Sequence, residues 1–297
     1  MKHTYILLIV LNVCMNVGYA CDICGCGIGG NYTGLLPQFN KRIVGIRYQQ
    51  RALVTHLGPN GESSYLTTQE TMRSIEYWGA WQTGNRSRLL VAVPWQFQQS
   101  KTIDTKIHNN SIGDLSAIWQ WNLFQSRQSD RQRVRIQQWW LGAGIKLPTG
   151  KWNKQSLQPT GTGSTDFLFN MVYDHRLQDA GISASLQYRI NTANALNYRY
   201  GNRFTGTVQY YYKFRPLPSV SLAPNMGMIV EYGGQDQENG WRKESTGGYT
   251  IYFAPGLETV LKKIAIGAGL QLPVGQNNAR GTIREGSRWM VHTSVLL

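Results

Sequence analysis

The stretch IAIGAGLQLPVGQNN (Ile264–Asn278) alternates almost without a break. Ile264, Ile266, Ala268, Leu270 and Leu272 fall on one side, and Ala265, Gly267, Gly269 and Gln271 on the other. That two-residue period is the mark of a β-strand with one wholly apolar face. An earlier segment, LGAGIKLPTGKWN (141–153), is nearly a copy. Such a strand either packs its apolar face into a dry protein core or turns it toward lipid.

The same alternation recurs along the chain. Leu89, Val91, Val93, Trp95 and Phe97 share a face, as do Leu115, Ala117, Trp119, Trp121 and Leu123. Ile182, Ala184, Leu186, Tyr188 and Ile190 oppose Ser183, Ser185, Gln187 and Arg189. Further strands are expected near residues 42–51, 74–81, 167–173, 204–214, 220–232, 249–257 and 289–297, about twelve in all. The links between them alternate in length. QTGNRS, SRQSD, LQDA, RPLPS and the region around TVLKK are short. LGPNGESSYLTT, QQSKTIDTKIHNNSIG, PTGKWNKQSLQPTGTGS, NTANALNYRYGN, GGQDQENGWRKES and PVGQNNARGTIREG are long.

A soluble sandwich has no reason to keep its long loops at one end, whereas an even-stranded transmembrane barrel requires short periplasmic turns and longer outer loops. Trp81, Trp95, Trp121, Trp139, Tyr188, Tyr210, Tyr212, Phe214 and Trp289 sit toward strand ends on the apolar face, where interfacial girdles belong. The expected fold is therefore an all-β, antiparallel transmembrane barrel. Its first strand, 42–51, pairs with its last, 288–297.

Composition agrees. Only 15% of the 297 residues are charged, against roughly 25% in soluble domains. Polarity comes instead from amides, hydroxyls and 32 glycines, which suits a wet interior. The net charge of +14 is scattered, and its one dense run, RQSDRQRVR (127–135), reads as a turn and a strand start. It favours a lumen or surface that attracts anions over a nucleic-acid partner. The first twenty residues read as an export signal: Lys2, the apolar YILLIVLNVCMNV, then Gly18, Tyr19 and Ala20. The expected organisation is a cleaved signal at 1–20, a Cys-rich segment at 21–40 and the barrel at 41–297.

Several short motifs carry a resemblance: NSIGDLSAIWQW (110–121), GAGIKLPTGKWN, GTGSTDFLFN (161–170), QYRINTANALNYRYGN and IAIGAGLQLPVG. With them the chain, from about residue 41 to its end, resembles the outer-membrane transporters grouped with meta-cleavage phenol degradation, distant in style from long-chain fatty-acid channels. The resemblance implies an outer-membrane barrel of a Gram-negative bacterium, placed there by the outer-membrane assembly machinery. It also implies passive movement of a small solute across the lipid bilayer. Leu297 stands where the terminal assembly signal more often has an aromatic residue.

Three groups of residues are candidates for chemistry. Cys21, Cys24 and Cys26 in CDICGCG suit a soft metal, copper or zinc. A disulfide or lipidation of Cys21 competes with that reading, and the segment through Phe39 reads equally as a plug or as a periplasmic lead. Arg47, Glu76, Asp114, Lys146, Asp166, Asp174, Arg189, Arg203, Lys213, Glu231 and Arg288 all fall on the polar side of their strands. They serve either solute selectivity or ion pairs that close the lumen, since on the lipid face Arg or Lys would cost roughly 2–4 kcal/mol. His292 and His175 lie on or beside strands without a recognisable nucleophile motif, so no enzyme site is expected.

Overall fold

The computed structural model describes residues 42–58, 61–103, 105–130, 133–152 and 160–297. Twelve antiparallel strands form one closed barrel. In chain order these are β1 (Ile43–Thr55), β2 (Thr68–Gly84), β3 (Ser87–Lys101) and β4, in two pieces (Lys106–Ile112 and Leu115–Asp130). Then come β5 (Arg133–Leu147), β6 (Asp166–Leu177), β7 (Ala180–Ile190) and β8 (Arg203–Tyr212, continued by Phe214–Leu217). They are followed by β9 (Val220–Gly233), β10, in two pieces (Gly248–Phe253 and Gly256–Leu261), β11 (Ile264–Asn278) and β12 (Arg284–Leu296). Each strand pairs with its neighbours in sequence, and β1 closes the circle on β12, with Ile43 opposite Leu296 and Arg51 opposite Arg288. Closure leaves no edge, so the wall satisfies its own backbone hydrogen bonds, as a chain in hydrocarbon must.

The alternation resolves as an outward apolar face and an inward polar one. Ile264, Ile266, Leu270 and Leu272 are exposed on the outside of β11, while Ala265 is buried. The outward tryptophans stand at two levels. Trp81 lies opposite Leu89, and Trp95 opposite Ile75, six residues higher on the same strand pair. At ~3.3 Å per residue that separation is about 20 Å, close to the roughly 25 Å apolar band of such barrels. The outer face therefore meets lipid.

Two-residue turns at 85–86, 178–179, 218–219 and 262–263 close one end. The opposite end carries the longer connections, but two segments expected to be long loops are largely strand. β3 runs up to Lys101 and β4 starts at Lys106, so QQSKTIDTKIHNNSIG is a tall hairpin. β11 continues to Asn278, leaving a single 3-10 turn, Ala279–Gly281, before β12. β2 likewise begins at Thr68, earlier than the alternation suggests. The cause is common to all three. Above the bilayer the hydrogen-bond ladder continues, but the outward face no longer needs to be apolar, so the pattern stops before the strand does.

The wall is interrupted at Gly113–Asp114 in β4, at Lys213 in β8 and at Ala254–Pro255 in β10. The first break matters most, because it turns Asp114 toward the interior at the outer end of the barrel. Two-residue strands at Tyr198–Arg199, Gln237–Glu238 and Trp241–Arg242 pair into a small sheet between two outer loops.

Candidate functional site: the lumen wall

The inward residues of five neighbouring strands line up as a row: Glu258 (β10), Gly267 (β11), His292 (β12), Arg47 (β1) and Glu76 (β2). His292 Nε2 lies 2.8 Å from Glu258 Oε1, so the imidazole reaches across the intervening strand. Gly267 makes that possible: a Cβ there would collide with both His292 Nε2 and Glu258 Oε1. Arg47 Nη1 is 3.3 Å from Glu76 Oε1, and its guanidinium lies 5.9 Å from the Trp78 ring.

Four residues higher, about 13 Å along the strand, a second cluster is centred on Arg288. Its two terminal nitrogens reach Glu231 in bidentate fashion, at 2.8 and 2.9 Å, the strongest form of such a pair. Arg288 also lies 3.4 Å from Glu285 and 4.4 Å from the Tyr252 ring centroid, and Arg51 lies 3.5 Å from Glu285. Arg189 on β7 and Arg203 on β8 stand opposite each other in register near the same end.

The outermost cluster joins three of the quoted motifs. Lys146 Nζ, buried at the end of β5, lies 2.5 Å from Asp114 Oδ2 and 2.7 Å from Asp166 Oδ2, and it donates to Thr162 Oγ1. Asp114 accepts further bonds from the backbone N–H of Gly150 (3.0 Å) and of Thr162 (2.9 Å). Asp166 Oδ1 accepts from Ser164 Oγ at 2.8 Å and from the N–H of Thr192 at 3.1 Å. NSIGDLS, GIKLPTG and GTGSTDF thus meet at one buried ion triad that ties the outer loop after β5 to the barrel.

The next loops continue this outer package. Trp152 Nε1 donates to Tyr200 OH at 3.1 Å, and Asp236 accepts from Tyr198 OH at 2.6 Å and from the N–H of Gly201 at 2.7 Å. Burial holds the Asp236 carboxyl above its ordinary range, although Tyr198 and Gly201 pull it the other way.

The opposite wall, β3 to β8, is lined mainly by uncharged polar groups. Gln96, Gln98, Gln120, Asn122, Gln138, Asn170 and Gln209 all face inward and are buried. Midway along it Arg88 donates from Nε to Gln120 at 2.6 Å and stacks 4.1 Å above Trp140.

Of the candidates from sequence, the structure brings together Arg47 with Glu76, Asp114 with Lys146 and Asp166, and Glu231 with Arg288. Asp174 faces inward near the short-turn end, where Tyr211 OH donates to it at 3.4 Å, and Lys213 lies within electrostatic range of Asp174. Arg51, Glu70, Arg88, Glu258 and Glu285 were not among those candidates. Glu285 falls in PVGQNNARGTIREG, which reads as a link, and a register shift between Arg51 and Leu53 turns this odd-numbered residue of β12 inward among even-numbered ones. Glu258 falls in the region around TVLKK, which also reads as a link, and Arg88 between the link QTGNRS and the alternation that starts at Leu89. Cys21, Cys24 and Cys26 lie outside the described residues. Among the described residues no three His, Cys, Asp or Glu side chains cluster to hold a metal.

No family profile and no curated protein matches the chain. Among solved structures, it is similar to an outer membrane channel from Pseudomonas putida F1, with a TM-score of 0.62 at 15% identity over 90% of this chain and 98% of that one. The translocator domain of the autotransporter NalP from Neisseria meningitidis aligns more loosely, with a TM-score of 0.44 at 10% identity over 86% and 88% of the two chains. A Pseudomonas aeruginosa FadL homologue gives 0.36 at 9% identity over 86% and 90%. At these identities the first likeness speaks for the fold alone: the chain is an outer-membrane-type β-barrel of twelve strands.

Proposed function

We propose that this protein is a passive channel for a small solute in the outer membrane of a Gram-negative bacterium. The observation that carries the reading is the division of the wall, apolar outside and lined inside by amides and ion pairs, around a barrel wider than the eight-strand kind that side chains alone can fill. No part of it calls for catalysis or an energy source. The resemblance read from the sequence points the same way.

The lumen wall is nonetheless thoroughly covered: Gln120 is 1% exposed, Ser74 2% and Arg47 4%. That cover supports a lumen occupied in the resting protein. In this reading residues 21–40, which precede β1 in the sequence, occupy it. Conductance of the mature chain in planar bilayers, with and without residues 21–40, tests this. Steps that appear or grow after the deletion are the expected result. Silence of both forms would replace the channel with a structural barrel whose ion pairs close it.

Within that segment Cys21, Cys24 and Cys26 bind Cu(I) or Zn(II) in this reading, supported by their density and by the glycines between and after them. The mature chain is expected to hold about one metal under reducing conditions, and the triple Cys→Ser variant none. Acyl chains on Cys21, or a reduced chain free of metal, would favour the lipid anchor or the disulfide.

A further inference from the structure

Much of the net charge of +14 is exposed and not turned into the lumen. In the outer loops two of the cations meet acidic neighbours: Arg280 lies 2.9 Å from Glu244, and Lys243 2.9 Å from Glu238. The short-turn, periplasmic end carries a set of its own. Arg42, Arg86, Arg135, Arg215, Lys262 and Lys263 are all exposed there. Asp179 accompanies them, 2.8 Å from Arg215, and Asp130 ends β4 at the same side of the barrel.

The six cations are spread around the circumference: at the start of β1, in the β2–β3 turn, on β5, at the end of β8 and in the β10–β11 turn. Three of them can be placed against the girdle. Arg135 is four residues below Trp139 on the outward face of β5, about 13 Å along the strand and roughly 10 Å once the tilt of ~40° is allowed for. Arg86 follows β2 shortly after Trp81, and Arg215 follows Phe214 directly. These three lie just beyond the lower aromatic girdle, at the level of lipid headgroups, and Arg42, Lys262 and Lys263 lie at the same end of the barrel.

We infer that the periplasmic rim is a ring-shaped binding surface for anionic phospholipid headgroups. A singly charged phosphodiester matches ammonium and guanidinium groups set all round one end of a barrel. An acidic protein partner would cover one sector of the rim and leave the remaining cations unused. A solute in transit would be met by inward-facing groups, and these cations lie outside the lumen.

Tryptophan quenching tests the inference, because the girdle indoles stand beside the proposed headgroup sites. The full mature chain is refolded into phosphatidylcholine vesicles containing a minority of brominated phosphatidylglycerol or, separately, brominated phosphatidylcholine. The brominated anionic lipid should show about twofold or greater enrichment at low salt, fading as salt rises. Changing Arg86, Arg135, Lys262 and Lys263 together to Gln should abolish the preference, with heat-modifiable migration confirming a folded barrel. Lys262→Arg with Lys263→Arg should preserve it, as should Arg242→Gln with Arg280→Gln at the outer end. Equal quenching by the two lipids in the unaltered chain, or a preference that survives the fourfold Gln variant, would overturn the inference.

Discussion

The twin segments of β5 and β11 match residue for residue, Gly142 with Gly267, Gly144 with Gly269, Lys146 with Gln271 and Pro148 with Pro273, yet the barrel uses them differently. In both, the first glycine lies beneath side chains reaching in from adjacent strands. Asn170 and Gln120 close over Gly142, and His292 and Glu258 over Gly267. The segments part company at the fifth residue. Lys146 is buried between Asp114 and Asp166, and after Pro148 the chain leaves the wall as a loop pinned to that triad. Gln271 meets no such partners; its Oε1 is buried without a hydrogen bond, and the chain continues as strand to Asn278. One repeated pattern thus specifies the strand, and a single inward residue decides whether the outer end becomes an anchored loop or more wall.

The sharpest way to break this comparison is to remove the ion from one twin and the amide from the other. Lys146→Met strands two buried carboxylates and should destabilise the barrel by about 3–5 kcal/mol, the range for a buried pair that has lost one member. Gln271→Met removes a polar atom that already lacks a partner and should fall within ~1 kcal/mol of the parent chain. Urea unfolding of the refolded proteins in lipid vesicles measures both. Adding Asp114→Asn and Asp166→Asn to Lys146→Met should recover part of the loss. Equal effects of the two single changes would mean that the triad is no anchor.

The second glycines sharpen the contrast at smaller scale. A Cβ on Gly144 would strike the Ala117 carbonyl oxygen and lie 2.7 Å from Ile118 Cα, which is backbone that cannot move aside. On Gly269 it would meet nothing nearer than Pro255 O at 3.8 Å, because β10 is interrupted opposite it. Gly144→Ala should therefore cost about 1–3 kcal/mol as an overpacked site. Gly269→Ala should be neutral, or stabilising by roughly 0.5 kcal/mol through a less flexible unfolded chain. The same urea titrations order the pair.

These details mark where sequence reading reaches and where it stops. Strand number, faces and closure were legible because the bilayer imposes apolar alternation on every strand that crosses it. The tops of β2, β3 and β11 were not, since that constraint ends at the headgroups while the backbone ladder goes on. Inward charges were legible by parity wherever parity holds, as for Arg47, Glu76 and Lys146. Glu285 and Glu258 were hidden because they lie in strand ends that read as links. The meeting of Asp114, Lys146 and Asp166 was out of reach for another reason. Each was visible as an inward residue, but their convergence depends on the kink at Gly113 and on the path of a loop.

The smallest expected effect lies at the far side of that anchored package, where the loop after β5 leans on its neighbours through Trp152 and Tyr200. Asp236 holds this part by accepting from Tyr198 and from Gly201. Burial raises its carboxyl above the ordinary value of 3.8, so the folded loop binds a proton more tightly than the unfolded one. A raised acid contributes stability that is fully present below the unfolded value and is lost as pH rises through the folded one. The package should therefore tighten modestly on going from neutral to mildly acidic solution. Limited proteolysis within residues 233–248 should slow over the same interval. Asp236→Asn, uncharged throughout and still able to accept one of the two bonds, should remove most of that pH dependence. The tight turn between β11 and β12, whose Arg280 meets only the exposed Glu244, should show none in either protein. Faster cleavage of the unaltered loop in acid would mean instead that the ionised carboxylate, held by Tyr198 and Gly201, is the form that secures it.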